Sequence, residues 1–263
     1  MLKRRLIPVL FLQQGHMVRS ELFRLHNVIG NPMVHVERMV EWDVDELIII
    51  DITEGSEVKY DIHRDDYRQT GAKSLLEFVH RVSSECRIPL TIGGRIRTFD
   101  DIRVRILNGA DKVSVNTVLV ESPGLVTDAA EAFGSQAVIA SIDYKVIDGT
   151  PRVFADHAHT DVGMGPAEWA HRAQELGAGE ILLNAIDRDG AATGYDIATI
   201  REVCEAVSIP VIACGGAGHP SHFVKCFRET DASGVAAGNI FHFTENAYPR
   251  AKKMLRVQGV NVR

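Results

Sequence analysis

"LTIGGRIRTFDD", residues 90–101, and "VIACGGAGHPSHF", residues 211–223, have one shape: a short apolar run, a glycine pair, and a polar stretch that leads into a helical pattern. The repetition extends to both sides. "ADKVSVNT" (110–117) resembles "ASGVAAGN" (232–239), and "DELIIIDIT" (45–53) resembles "GEILLNAID" (179–187). Phe11 aligns with Asp143, Glu46 with Glu180, Gly94 with Gly216 and Asn116 with Asn239. The spacing is nearly constant within the first two pairs and within the last two, and drops by about a dozen between them. Two half-repeats, about 1–130 and 131–263, account for this if the first carries about a dozen extra residues. The extra segment falls in "EGSEVKYDIHRDDYRQTGAKS", 54–74, a polar, charge-rich surface loop.

Each half reads as four β/α units. Apolar runs near 6–11, 47–52, 89–92, 112–115, 137–142, 180–186, 210–213 and 233–237 are rich in Val and Ile and lack the alternation of a half-exposed strand. Strands covered on both faces read this way. Between them lie amphipathic stretches such as "SLLEFVHRVSSE", "AEWAHRAQELG" and "IATIREVCEAV", the second stopped by Gly177 at a C′ position. The expected fold is a single (β/α)8 TIM barrel built from two half-barrels. An open doubly wound sheet is the alternative, but "FLQQGHMVRS" after the first strand is no dinucleotide fingerprint.

Bulk composition agrees with one globular domain of 263 residues, 45% hydrophobic and 24% charged. The net charge of −6 and the lack of a basic stripe argue against a nucleic-acid partner. The cysteines Cys86, Cys204, Cys214 and Cys226 form no CxxC pair, so a reducing cytoplasm is expected, with no disulfide framework and no structural zinc. "MLKRRLIPVLFL" mimics a leader, but Gln13 and Gln14 follow in place of a cleavage site, and no run is long enough to span a membrane.

Barrel enzymes keep their chemistry at the C-terminal ends of the strands. Gly93-Gly94 and Gly215-Gly216 stand there, followed one unit later by Asn116 and Asn239. Glycine lets backbone N–H groups approach an anion, and a following helix N-terminus favours it. Two such grips suit an elongated ligand with a phosphate at each end. Thr117, Gly190 and Gly238 stand beside them as further binding candidates, and Asp51 and Asp189 as carboxylates near the mouth. His157, His159, His219 and His222 have no third ligand for a metal, Cys214 has no evident base, and His242, Trp42 and Trp169 read as packing residues.

The motifs "DELIIIDIT", "LTIGGRIR", "GADKVSVNT", "FGSQAVIASID", "LGAGEILLNAIDRDG", "GYD", "IPVIACGGAG" and "NIFHF" together resemble the HisF family, the cyclase subunit of imidazole glycerol phosphate synthase, over almost the whole chain. The resemblance implies a barrel that needs no cofactor, takes ammonia from a HisH-like glutaminase in a heterodimer, and uses it on a bis-phosphorylated ribonucleotide. It implies a gate at the barrel floor of Arg5, Glu46, Lys112 and Glu180, and contacts to the glutaminase at Asp111 and Gln136. A structural salt-bridge plug is the other reading of that ring.

At the mouth the resemblance breaks. The family uses two aspartates as general acid and base; the second is Asp143, but the first is Phe11, which can neither accept nor donate a proton. Arg19 stands for a lysine, Arg95 for a third glycine, Cys214 for a serine, and Asn184-Ala185 for a Thr-Ser pair. A branch from surface-polysaccharide gene clusters, working with a sugar amidotransferase, is similar in lacking the first aspartate. The first expectation is therefore ammonia supply for amidination of an N-acetylated sugar. The alternatives are the cyclase of histidine biosynthesis, with Asp51 or Asp189 assisting Asp143, and a non-catalytic scaffold for a glutaminase.

Overall fold

A computed structural model describes residues 3–55, 74–85 and 87–263. The chain opens with β1 (Arg5–Gln13), an antiparallel hairpin of β2 (His16–Glu21) and β3 (Leu25–Gly30), α1 (Pro32–Glu41) and β4 (Leu47–Asp51). It continues through α2 (Leu75–Glu85), β5 (Leu90–Gly93), α3 (Phe99–Leu107), β6 (Lys112–Val115), α4 (Val118–Glu121) and α5 (Gly124–Phe133) to β7 (Val138–Ile147). Two short strands, β8 (Thr150–Ala155) and β9 (Thr160–Asp161), precede α6 (Pro166–Glu175), β10 (Glu180–Ala185), α7 (Ile197–Ala206) and β11 (Val211–Cys214). The last elements are α8 (Pro220–Glu229), β12 (Gly234–Ala237) and α9 (Ala247–Val257). Eight strands pair in parallel in the order β10-β11-β12-β1-β4-β5-β6-β7, and β7 pairs back to β10, so the sheet closes into a (β/α)8 barrel. Among the described residues no helix is long and apolar enough to cross a membrane.

Strand parity assigns every side chain to one of two cores. On β1, Leu6, Leu10 and Leu12 face outward into the large core under the helices, while Ile7, Val9 and Phe11 face the axis. On β10, Ile181 and Leu183 face out, and Leu182 faces in beside Ile48, Ile139 and Ile212. Each fully buried aliphatic side chain contributes about 1.5–3 kcal/mol, and the double demand explains the unbroken apolar runs. Trp169 packs in the outer core, with Trp42 against its edge.

The strands lie within a residue or two of their expected positions, except that β1 and β7 run on beyond the barrel into hairpins. At both sites the turn is a pair in the left-handed region, Gln14-Gly15 (φ 51° and 75°) and Asp148-Gly149 (φ 49° and 78°). Two such residues make the tight turn that suits the twist of a hairpin.

The ladder also corrects the alignment of the glycine pairs. Ile92 pairs with Val113, and Ala213 with Val235; β5 ends on Gly93 and β11 on Cys214. Gly94 therefore corresponds to Gly215, not to Gly216, and Arg95 (φ 55°) to Gly216 (φ 98°). The cause is a close approach. A Cβ on Gly94 would lie 2.0 Å from the Asp51 carbonyl oxygen, and one on Gly215 2.4 Å from that of Ala185. By the same ladder Asn116 matches Gly238 rather than Asn239. The 54–74 insertion lies almost wholly outside the described residues, as does Cys86.

Candidate active site

The floor of the barrel is a ring of four charges at inward positions of β1, β6, β10 and the residue before β4. Arg5 donates to Glu46 at 2.7 Å and to Glu180; Lys112 reaches Glu46 and Glu180 at 2.7 Å each. Two cations and two anions cancel, which charges this deep require. Burial acts to lower the Arg5 pKa, but the Glu180 and Glu46 carboxylates more than offset it, and the net movement is upward. Ser233 accepts a further Arg5 N–H at 3.0 Å and donates to the Val211 carbonyl. Asp111 lies beside the floor, where its carboxylate accepts the Leu90 N–H at 2.8 Å. Gln136 donates to the Phe133 carbonyl at 3.2 Å.

At the other end of the axis a cavity of about 570 Å³ is lined by Phe11, Asn116, Asp143, Asn184 and Cys214, among others. Asp143 sits at the inward end of β7's barrel portion, opposite Asn184 in the β7–β10 ladder. Its Oδ1 accepts the Asn184 amide at 2.9 Å, and its Oδ2 the Asn116 amide at 3.2 Å. Burial pushes the carboxyl up to about 6, against the Asn184 hydrogen bond and with the help of the Asp189 charge. A carboxylic acid poised there can take or give a proton near neutral pH. Asn116 and Asn184, expected among the ligand-binding residues, here clamp the Asp143 carboxylate.

Phe11 is buried in the inner core and meets Phe23, at the tip of the β2–β3 hairpin, edge to face with centroids 6.3 Å apart. Phe11 thus docks a hairpin that the sequence reading missed. Phe23 also lines a second cavity of about 950 Å³, which includes Arg24, His26, Lys145, His157 and His159. His157 and His159 border both cavities.

The other candidates fall around this mouth. Asp189 lies under the hairpin, its carbonyl accepting the Leu22 N–H at 2.7 Å. Burial pushes its carboxyl up to about 6, opposed by the Ser20 hydroxyl and the Phe23 N–H. Gly190 lies against the Ser20 carbonyl, which also accepts the Asn239 amide at 2.6 Å. Arg19 stands over the Phe243 ring and 3.7 Å from Glu21. Asp51 closes a turn through the Thr53 N–H, and Thr117 precedes α4. Arg95 lines the same cavity, and its guanidinium donates to the carbonyls of Thr53 and Gly55 at 3.1 and 2.7 Å. Cys214 is a buried thiol pushed far upward by burial and by the Asp189 and Asp143 charges, which disfavours the thiolate a nucleophile needs.

His219 and His222 serve the start of α8, accepting the N–H groups of Ser221 and Gly218. His242 packs edge to face on His35 at 5.0 Å. Among the described residues no group of three or more His, Cys, Asp or Glu is placed to hold a metal ion.

Comparison with known proteins places this architecture. The model of a family described as histidine biosynthesis protein matches residues 5–247. The imidazole glycerol phosphate synthase subunit HisF of Metallosphaera sedula is 40% identical over 263 residues, covering all of both chains. The proteins of that name from Methanopyrus kandleri and Caulobacter vibrioides are 38% and 40% identical, over all of this chain and 98% and 97% of theirs. With a closed barrel, a charged floor and a match that runs its full length, the chain belongs to the histidine biosynthesis protein family and, within it, to the HisF family.

Proposed function

We propose that this chain is the synthase subunit of a glutamine amidotransferase. It receives ammonia from a HisH-like glutaminase docked at the floor, around Asp111 and Gln136, and joins it at the mouth to a phosphorylated small molecule. The observation that carries this reading is the single axis from the neutral ring of Arg5, Glu46, Lys112 and Glu180, past an apolar interior, to the clamped Asp143. Ammonia is small and neutral, so it can cross an apolar interior that repels ions. Separation or re-pairing of the ring would admit it. The glycine turns at Gly94 and Gly215-Gly216 leave backbone N–H groups unshielded for the anionic ends of an acceptor.

The relatives support a particular acceptor. Full-length kinship to imidazole glycerol phosphate synthase subunits favours the histidine-pathway ribonucleotide over the N-acetylated sugar expected first. Asp143, with a carboxyl near 6, then serves as both base and acid in the ring closure.

One observation favours the sugar reading as a second. Phe11 occupies the place of the other aspartate and is held there by Phe23, so no carboxylate faces Asp143 from β1. On that reading the barrel supplies ammonia to a sugar amidotransferase. A steady-state assay with the histidine-pathway ribonucleotide and excess ammonium salt at alkaline pH separates the two without a glutaminase. Product at an enzymatic rate supports the cyclase. No turnover by folded protein that still binds a glutaminase rejects it.

A further inference from the structure

We propose that Asn184 and Asp143 together form the seat for ammonia at the mouth, with Asn184 Oδ1 as the acceptor that orients the nitrogen. The inference rests on the reading that ammonia arrives along the barrel axis. Three facts converge on it. Asn184 Nδ2 is occupied by Asp143 Oδ1 at 2.9 Å. An ionised carboxylate only accepts hydrogen bonds, so the amide nitrogen must face it and the amide oxygen must face elsewhere. That oxygen is buried and has no hydrogen-bond partner among the described residues, while the side chain lines the inner cavity.

A buried acceptor left unmet is costly, and one that persists beside a cavity marks where a donor will sit. Asp143 adds acceptors of its own. Its two oxygens each take one amide, from Asn184 and Asn116, and a carboxylate has room for about four hydrogen bonds. The seat therefore offers acceptors to its ligand. Ammonia, with three N–H donors and one lone pair, matches it. Two N–H groups bound to Asn184 Oδ1 and Asp143 leave the lone pair pointing away from both, toward an acceptor in the cavity. Leu182, two residues earlier on the same face of β10, lies in the apolar core directly below on the axis.

The chemical step balances on these groups. The nitrogen lone pair forms a bond to an electrophilic C=O or C=N carbon of the acceptor. The displaced π pair moves to the acceptor's own oxygen or nitrogen. The nitrogen, now cationic, gives one proton to Asp143. Asn184 exchanges no proton; it is a positioning residue.

The test uses the full chain with Asn184→Leu, which keeps the bulk and removes both polar atoms, and Asn184→Thr, which keeps one hydroxyl. Folding is checked by circular dichroism. With the ribonucleotide acceptor and varied ammonium, Asn184→Leu is expected to raise the apparent KM for ammonia about tenfold, the worth of one hydrogen bond. The KM for the acceptor stays within about twofold, and Asn184→Thr recovers part of the loss. An unchanged ammonia KM, or one that moves only in step with the acceptor KM, overturns the proposal.

A second arm needs no acceptor. Carboxyl-carbon NMR titration of Asp143 is run in ammonium chloride and in tetramethylammonium chloride at equal ionic strength. Ammonium is expected to lower the midpoint in the wild type and not in Asn184→Leu. No ammonium-specific effect in the wild type, or an equal effect in both proteins, overturns the seat. An ammonium effect confined to the wild type, without ribonucleotide turnover, upholds the seat and rejects only the acceptor.

Discussion

Asp143→Asn removes a charge from the mouth and keeps the shape of the side chain. Its effect on stability should change sign with pH. Burial pushes the Asp143 carboxyl up from 3.8 to about 6. That rise corresponds to about 3 kcal/mol at roughly 1.4 kcal/mol per pH unit. The folded state binds this proton more tightly than the unfolded chain does. The contribution is thus fully present below 3.8 and is lost as pH rises through about 6. In alkaline buffer the wild type carries the whole penalty of an ionised, buried carboxylate; asparagine carries none.

The gain is not complete. Asn116 and Asn184 both donate to Asp143, and an amide can accept from only one of them. Facing the other, its NH2 group costs about 1–2 kcal/mol. The net expectation is a variant more stable than wild type by about 1–2 kcal/mol near pH 8, and less stable by a similar amount near pH 4. Urea-denaturation midpoints at the two pH values, at matched ionic strength, measure this. A difference that does not depend on pH, or that favours the variant more as pH falls, would refute the reasoning. Ammonia-dependent turnover should fall about 10²–10⁴-fold in the same variant, as expected of a residue kept at a cost in stability.

Lys112→Met leaves Glu46 and Glu180 sharing Arg5 alone, and should destabilise by about 3 kcal/mol; Lys112→Met with Glu180→Gln restores neutrality and should recover much of that, read by urea denaturation. Gly94→Ala forces a Cβ to 2.0 Å from the Asp51 carbonyl, whereas Gly149, also at positive φ, has open space around it. Thermal unfolding should show a loss of about 1 kcal/mol for Gly149→Ala and at least about twice that for Gly94→Ala. Phe11→Ala removes the edge-to-face contact with Phe23 and should cost about 3 kcal/mol. Hydrogen exchange should then quicken in β2 and β3, and unchanged exchange there would count against Phe11 as the dock of that hairpin.

Much of the mouth was legible in order along the chain and illegible in space. Asn116 and Asp143 were named from their positions at strand ends and Asn184 through the family resemblance, but their convergence depends on the β6–β7 and β7–β10 ladders. The glycine pairs were matched one residue out of register, because sequence aligns like with like, whereas the barrel places glycine where the preceding strand's carbonyl comes closest. The hairpins were missed although "DG" at 148–149 is a strong turn signal, since β1 and β7 enter them without a break. Phe23 carried no signal of its own.

The sequence by itself determined the barrel. Inward and outward parity along Ile- and Val-rich runs needs cover on both faces, and eight such runs in two matching halves have a closed sheet as their economical solution. It also determined which side chains could not do acid–base work, since Phe11 has no titratable atom wherever it lies. Only the tertiary structure decided what Phe11 does instead and what surrounds Asp143. Proton affinity depends on burial and on neighbours brought together from β6 and β10, and an amide's free oxygen is defined only once its nitrogen has a partner.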